Sequence, residues 1–151
     1  MFELEPVAYV RGSRTEVLDD HWGGVESRIE LDEAFGPECL DGIEKFSHVE
    51  VVYLFHRADP ERVERGSRHP RGNEAWPCVG IFAQRAKDRP NQLGVTIATL
   101  VSREPRALVV RGLDAIEGTP VLDIKPVMLE FLPRGPVRQP AWSRELMKSY
   151  W

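Results

Sequence analysis

Residues 47–55 read Ser-His-Val-Glu-Val-Val-Tyr-Leu-Phe, and this stretch decides the class of fold. It is short, rich in β-branched and aromatic side chains, and nearly continuous in apolar character toward its end. Those features predict a strand, and the apolar end predicts burial on both faces. Working outward, Val7–Val10 reads as a short apolar strand. Ser27–Leu31 alternates as a half-buried strand should. Downstream, Cys78–Ala83, Val95–Val101, Ala107–Val110 and Val121–Ile124 read as further strands. Helical signals are few. Pro37 suits the first position of a short helix over Pro37–Ile43. A terminal helix over Trp142–Tyr150 would place Trp142, Leu146 and Tyr150 on one side. Strands at short spacing with so few helices predict an antiparallel barrel or sandwich, mainly β, with short peripheral helices.

A chain of 151 residues suits a single domain, 1–151, with a core over about 5–127 and a C-terminal extension over 128–151. Hydrophobic residues make up 42% and charged residues 29%, so disorder is excluded. No apolar run is long enough to span a membrane, so no membrane partner is expected. The opening MFELEPVAYV has neither the basic start nor the apolar run of a signal peptide. A cytoplasmic protein with Cys39 and Cys78 reduced is therefore expected, Cys78 as a core thiol. His21, His56, His69, Cys39 and Cys78 match no zinc spacing, so no metal is expected.

The net charge of −4 does not advertise a nucleic-acid ligand, but the charge is uneven. Arg57 to Arg89 holds eight basic and five acidic residues within an otherwise acidic chain. Arg57–Pro77 is a long excursion rich in Pro, Gly, Arg and Glu, and long loops of this kind are usually functional. Glu61, Glu64 and Glu74 are expected to neutralise Arg62 and Arg65 locally, which leaves Arg68 and Arg71 to attract phosphate.

Four segments are over-specified for folding alone. They are Phe46-Ser47-His48 leading to Phe55-His56-Arg57; His69-Pro70-Arg71-Gly72; Gly80-Ile81-Phe82-Ala83-Gln84-Arg85 with Arg89-Pro90-Asn91-Gln92-Leu93-Gly94; and Gly118-Thr119-Pro120-Val121-Leu122-Asp123-Ile124-Lys125-Pro126. No Gly-x-Gly-x-x-Gly or Gly-Lys-Ser/Thr loop is present, so a doubly wound nucleotide site is excluded.

In order and spacing these segments resemble the TrmO family, also called TsaA-like, of S-adenosylmethionine-dependent tRNA methyltransferases. The resemblance runs from about Val7 to Pro126. Gln84 stands where the family pattern has Thr, Gln92-Leu93 replace Pro-Ile, Glu117 replaces Asp, and Val127 replaces Tyr. The resemblance implies a small β-barrel, an active homodimer, S-adenosylmethionine as cofactor, and N6-methylation of threonylcarbamoyladenosine beside the anticodon of tRNA. Residue by residue it implies cofactor contacts at His56, Arg57, Arg85, Val95, Glu117, Gly118, Thr119 and Pro120. It carries His21, Trp22 and Gly23 over from a more divergent segment.

The chemistry adds roles of its own. Arg85 can hold a carboxylate or phosphate through its planar fork. Asp123 and His69 are the candidate bases for the nitrogen's proton, with Lys125 as electrostatic partner. Arg68, Arg71, Arg89 and Asn91 are the candidate RNA contacts. Two other readings remain open from the residues: a non-catalytic barrel that binds RNA or an adenosine compound, and a small hydrolase using Cys78 or a His–Asp pair.

Overall fold

The computed structural model describes residues 1–151. Six strands close into one antiparallel barrel: β1 (Ala8–Arg11), β2 (Glu26–Leu31), β3 (His48–Leu54), β6 (Leu93–Glu104), β7 (Ala107–Arg111) and β8 (Pro120–Pro126). Their order around the wall is β1-β2-β7-β6-β3-β8, and β8 pairs back onto β1. Closure leaves no unpaired sheet edge, which a six-stranded open sheet would expose. Two short strands, β4 (Ser67–Arg68) and β5 (Val79–Gly80), form a separate ribbon outside the barrel.

The core follows from the two-residue period of strands. Val49, Val51 and Tyr53 of β3 point inward. They meet Val10 of β1, Ile29 of β2, Ala98 of β6, Leu108 and Val110 of β7, and Val121 of β8. Leu40, Leu113 and Ala115 cap the ends. Burying each such side chain contributes roughly 1.5–3 kcal/mol, and together they hold the wall closed. Burial of β3 on both faces does not occur. Its burial alternates strictly, because a barrel has one interior, and Glu50, Val52 and Leu54 lie on the half-covered outer face.

Three other elements differ from the sequence-based expectation. Pro37–Ile43 is not one helix but two 3-10 turns, Pro37–Leu40 and Ile43–Lys45, separated by Gly42 at φ 87. Cys78–Ala83 contributes only the two residues of β5 and a 3-10 turn, Ile81–Ala83. Cys78 is therefore exposed on the outer ribbon, not buried as a core thiol. The terminal helix α1 spans only Ala141–Leu146, so Tyr150 lies beyond it and not on its face.

The alternation of strands places all chemistry-bearing loops at one end. β1, β3 and β7 run toward this rim; β2, β6 and β8 start from it. The rim therefore carries residues 12–25, 55–92 and 112–119. The opposite end carries the capping turns and the tight Pro105–Arg106 connection between β6 and β7. No helix is long and apolar enough to cross a membrane.

Candidate functional site

The site begins with the glycine turn between β7 and β8. Gly118 adopts φ +80, a left-handed conformation that other residues rarely tolerate. Its N–H donates to the Val10 carbonyl (2.8 Å), and Glu117 N–H donates to the Arg14 carbonyl (2.8 Å). Ser13 locks the turn from the other side: its N–H donates to Glu117 Oε1 (3.1 Å) and its hydroxyl to the Ala115 carbonyl (2.7 Å). Thr119 is buried, with its hydroxyl on the Ile116 carbonyl (2.7 Å). A Cβ on Gly118 would lie 3.7 Å from Arg11 Nη1 and 3.8 Å from His56 Nε2. Glu117–Pro120, His56 and Arg11 thus face one another across a small cradle.

His56 and Arg57 follow directly from the end of β3. Partial burial, and then the neighbouring Arg57 charge, lower the His56 pKa below the ordinary histidine value. The imidazole is therefore neutral at pH 7 and can donate from one nitrogen and accept at the other. Arg57 Nη1 donates to the Thr15 carbonyl (3.1 Å), which ties the first rim loop to the second.

Arg85 and Val95 are bonded to each other: Arg85 Nη2 donates to the Val95 carbonyl (2.6 Å). Arg14, Arg57, Arg85 and Arg89 all bond to backbone carbonyls and have no carboxylate within ion-pair distance. Their charge is left uncompensated, which suits an anionic ligand group.

Beneath them lies a carboxylate that sequence reasoning missed. Asp114 accepts hydrogen bonds from Tyr53 Oη (3.0 Å), from the Thr96 hydroxyl and from Tyr150 Oη. Burial and the Asp114 charge raise both tyrosine pKa values, so both phenols stay protonated and donate. Gly94 lies under this cluster. A Cβ there would come within 2.5 Å of the Tyr53 ring, so only glycine lets Tyr53 cross its partner strand to reach Asp114. The Arg-Pro-Asn segment before it turns tightly, with Asn91 at φ 64 and Gln92 at φ 50.

The divergent segment His21–Gly23 is also at the rim, held by its own chain. Arg14 stacks over the buried Trp22 ring (4.0 Å) and donates to the carbonyls of Asp20 (2.7 Å) and His21 (2.6 Å). The N–H groups of His21 and Trp22 donate to the carbonyls of Ser149 (2.9 Å) and Tyr150 (2.8 Å).

The excursion after β3 packs as a lobe beside this loop. Arg71 grips Asp20 with two hydrogen bonds, 2.9 and 3.3 Å, and these hold the Asp20 carboxyl below its ordinary range. Arg68 pairs with the buried Asp88 (3.3 Å). The expected neutralisation of Arg62 and Arg65 by Glu61, Glu64 and Glu74 is absent, because Glu64 instead accepts from Gly66 N–H (2.7 Å) and no carboxylate pairs with either arginine. The compensated arginines are Arg68 and Arg71. Gln84 fills the Thr position of the motif and spans the lobe, donating to the carbonyls of Arg68 and Val79 at 3.0 Å each. His69 Nδ1 bonds to the Trp76 carbonyl (2.7 Å), an acceptor, so Nδ1 carries the hydrogen and Nε2 is the basic nitrogen. Asn91 is exposed at the lobe's edge.

Asp123 and Lys125 lie away from the rim, on the barrel wall. Period two would give Asp123 the inward face of Val121. A bulge at Leu122 reverses it: Val121 opposes Tyr53, whereas Asp123 opposes Val52 and faces out. Its carboxylate meets Lys125 Nζ at 2.6 Å and accepts from Ile124 N–H at 2.9 Å. That bond raises the Lys125 pKa. No three His, Cys, Asp or Glu side chains are grouped to hold a metal ion.

Arg11, Tyr53, Thr96, Asp114 and Tyr150 are the site residues that the motifs did not single out. Of these, only Asp114 carried a local signal, as a lone carboxylate between Leu113 and Ala115 in an otherwise apolar approach to the glycine turn.

Known proteins resemble this chain in fold and sequence. A crystal structure of TrmO from Pseudomonas aeruginosa superposes with a TM-score of 0.74 and 30% identity, over 91% of this chain and 61% of that one. A "probable S-adenosyl-L-methionine-binding protein" of Methanothermobacter thermautotrophicus is 38% identical over 129 residues, 82% of this chain and 88% of that protein. The human tRNA (adenine(37)-N6)-methyltransferase is 41% identical over 92 residues, which is 61% of this chain and 20% of the human protein. The chain thus spans about a fifth of the human relative and three fifths of the Pseudomonas chain. The family profile of the tRNA-methyltransferase O N-terminal domain matches residues 20–131. With that match and this fold, the chain belongs to the tRNA-methyltransferase O N-terminal domain family.

Proposed function

We propose that this chain binds S-adenosylmethionine at the barrel rim and methylates N6 of threonylcarbamoyladenosine beside the tRNA anticodon, as a cytoplasmic, single-domain homodimer. The observation that carries the reading is the convergence of His56, Arg11 and the Glu117–Pro120 turn, with Arg85 and Val95 close by on the same rim. When bound, S-adenosylmethionine supplies a sulfonium methyl: the new N–CH3 bond forms as the S–CH3 bond breaks, sulfur keeps that electron pair, and N6 loses its proton.

The residues fit such a ligand. Gly118 leaves room for close backbone approach, and a neutral His56 adds no positive charge beside a sulfonium. Arg85, already held on the Val95 carbonyl, has donors and charge left for a carboxylate. Arg57, Glu117, Thr119 and Pro120 complete the wall, and His21, Trp22 and Gly23 close one side. His69 is the better base of the two candidates, because its Nε2 is the acceptor nitrogen. Asp123 is neutralised by Lys125 on the outer wall, so its service at the site would require a partner surface. The exposed outer face of β6, with Val95, Ile97 and Val101, is apolar and supports the homodimer. RNA contacts fall to Arg89 and Asn91 at the rim and to Arg68 and Arg71 once phosphate competes with Asp88 and Asp20.

Titration calorimetry with S-adenosylmethionine and its demethylated product should show binding, with thermal stabilisation by each. Mass spectrometry of tRNA nucleosides should show loss of the N6-methylated species when the gene is removed. No heat and no stabilisation would reject cofactor binding. An unchanged nucleoside profile would reject the substrate.

A further inference from the structure

The C-terminal residues beyond α1 have no part in the barrel wall, yet they turn back across the rim. Ser149 and Tyr150 present their carbonyls in sequence order to the N–H groups of His21 and Trp22, at 2.9 and 2.8 Å. Trp151 lies so close over Gly23 that a Cβ there would fall 2.8 Å from the Trp151 carbonyl carbon. Gly23 is thus required by the tail. The Tyr150 and Trp151 rings meet edge to face, with centroids 4.8 Å apart. Tyr150 then reaches inward to the carboxylate of Asp114, the other oxygen of which is taken by Tyr53 and Thr96.

We propose that Tyr150 is a positioning residue for the rim site: through Asp114 it holds the turn that leads to Glu117–Pro120, and through its backbone it holds the loop His21–Gly23. The proposal rests on the cofactor reading above. Asp114 lies three residues before Glu117, and Ser13 and Arg14 pin the same turn from outside. The turn is therefore clamped from two sides, and Tyr150 supplies one of the three hydroxyls on the inner side. Burial and the Asp114 charge keep that hydroxyl protonated, so it acts as a donor throughout the working pH range. A tail that merely plugged the site would not be needed to satisfy a carboxylate beneath it; displacing this one would strip Asp114 of a donor and the Trp22 N–H of its acceptor. The clamp is thus part of the built site.

The test uses the full chain and Tyr150→Phe, which keeps the ring and removes only the hydroxyl. A second variant lacks residues 147–151. Affinity for S-adenosylhomocysteine is measured well below the melting temperature, alongside hydrogen exchange of the 113–119 amides. Loss of one net hydrogen bond to the clamp should weaken the Tyr150→Phe affinity roughly fivefold. Exchange across 113–119 should rise with it, and the shortened chain should lose more of both. Unchanged affinity overturns the proposal, even if melting falls, because the tail would then serve stability alone. Weaker affinity without faster exchange also overturns it, since Tyr150 would then touch the ligand itself. A wild-type chain that binds neither cofactor nor product sinks the cofactor reading, and this proposal with it; equal binding by wild type and variant sinks this proposal alone.

Discussion

Two rim segments carry most of the candidate site, and they are secured by opposite means. The turn Gly112–Thr119 is anchored from below by a carboxylate that accepts three hydroxyl groups, with Leu113, Ala115 and Thr119 buried around it. The lobe 57–92 is anchored by ion pairs, Arg71 to Asp20 and Arg68 to Asp88, and by side-chain bonds to carbonyls. Neutral donors converging on a half-buried acceptor fix its direction. The partly exposed Arg71–Asp20 pair is screened and contributes little. The turn is preorganised, whereas the lobe can exchange the half-exposed Asp20 carboxylate for a phosphate at small cost.

The sharpest way to break this contrast is at Gly94. Gly94→Ala forces a methyl against the Tyr53 ring, at 2.5–2.9 Å, and pushes Tyr53 off Asp114. A loss of about 3 kcal/mol is expected, read as a lower denaturant midpoint at unchanged slope. A loss no greater than that of an ordinary surface substitution would show that the turn does not depend on Tyr53.

The lobe should respond less, and with a pH signature. Asp20 is held below its ordinary pKa by Arg71, so its contribution is present above about pH 4 and is lost as pH falls through the lowered value. Asp20→Asn should cost at most about 1 kcal/mol at pH 7, since solvent screens the pair. The gap in melting temperature between wild type and Asp20→Asn should close in acid. A gap that persists at pH 2 would mean that the carboxylate charge is not what joins the lobe to the loop.

The smallest effect is expected on the outer wall. Lys125 is exposed and bonded only to Asp123, so Lys125→Ala should leave the melting temperature unchanged. A clear drop would reveal a partner surface that covers Lys125 on that face.

Much of this molecule could be read locally. β-Branched and aromatic residues at period two marked β1, β2, β3, β7 and β8, because a half-buried pleated surface selects them wherever it occurs. The motif glycines were legible as well: Gly118 needs a left-handed backbone. The failures were also local. Cys78–Ala83 has strand-like composition, but only Val79 and Gly80 find a partner strand. Pro37–Ile43 begins like a helix, and Gly42 interrupts it.

The class of fold, the six segments that form the barrel wall and the identity of the motif residues were therefore set by the sequence alone, since propensity and side-chain chemistry belong to each residue. Tertiary structure decided which of those residues meet. The Leu122 bulge, a property of the pairing with β3, turned Asp123 outward. The choice of Asp20 and Asp88 as partners for Arg71 and Arg68 came from loop packing across the rim. The meeting of Tyr53, Thr96 and Tyr150 on Asp114 joins residues up to 61 positions apart, and no local pattern encodes it. Period and propensity act over a few residues; register, bulges and chain return are set only when the barrel closes.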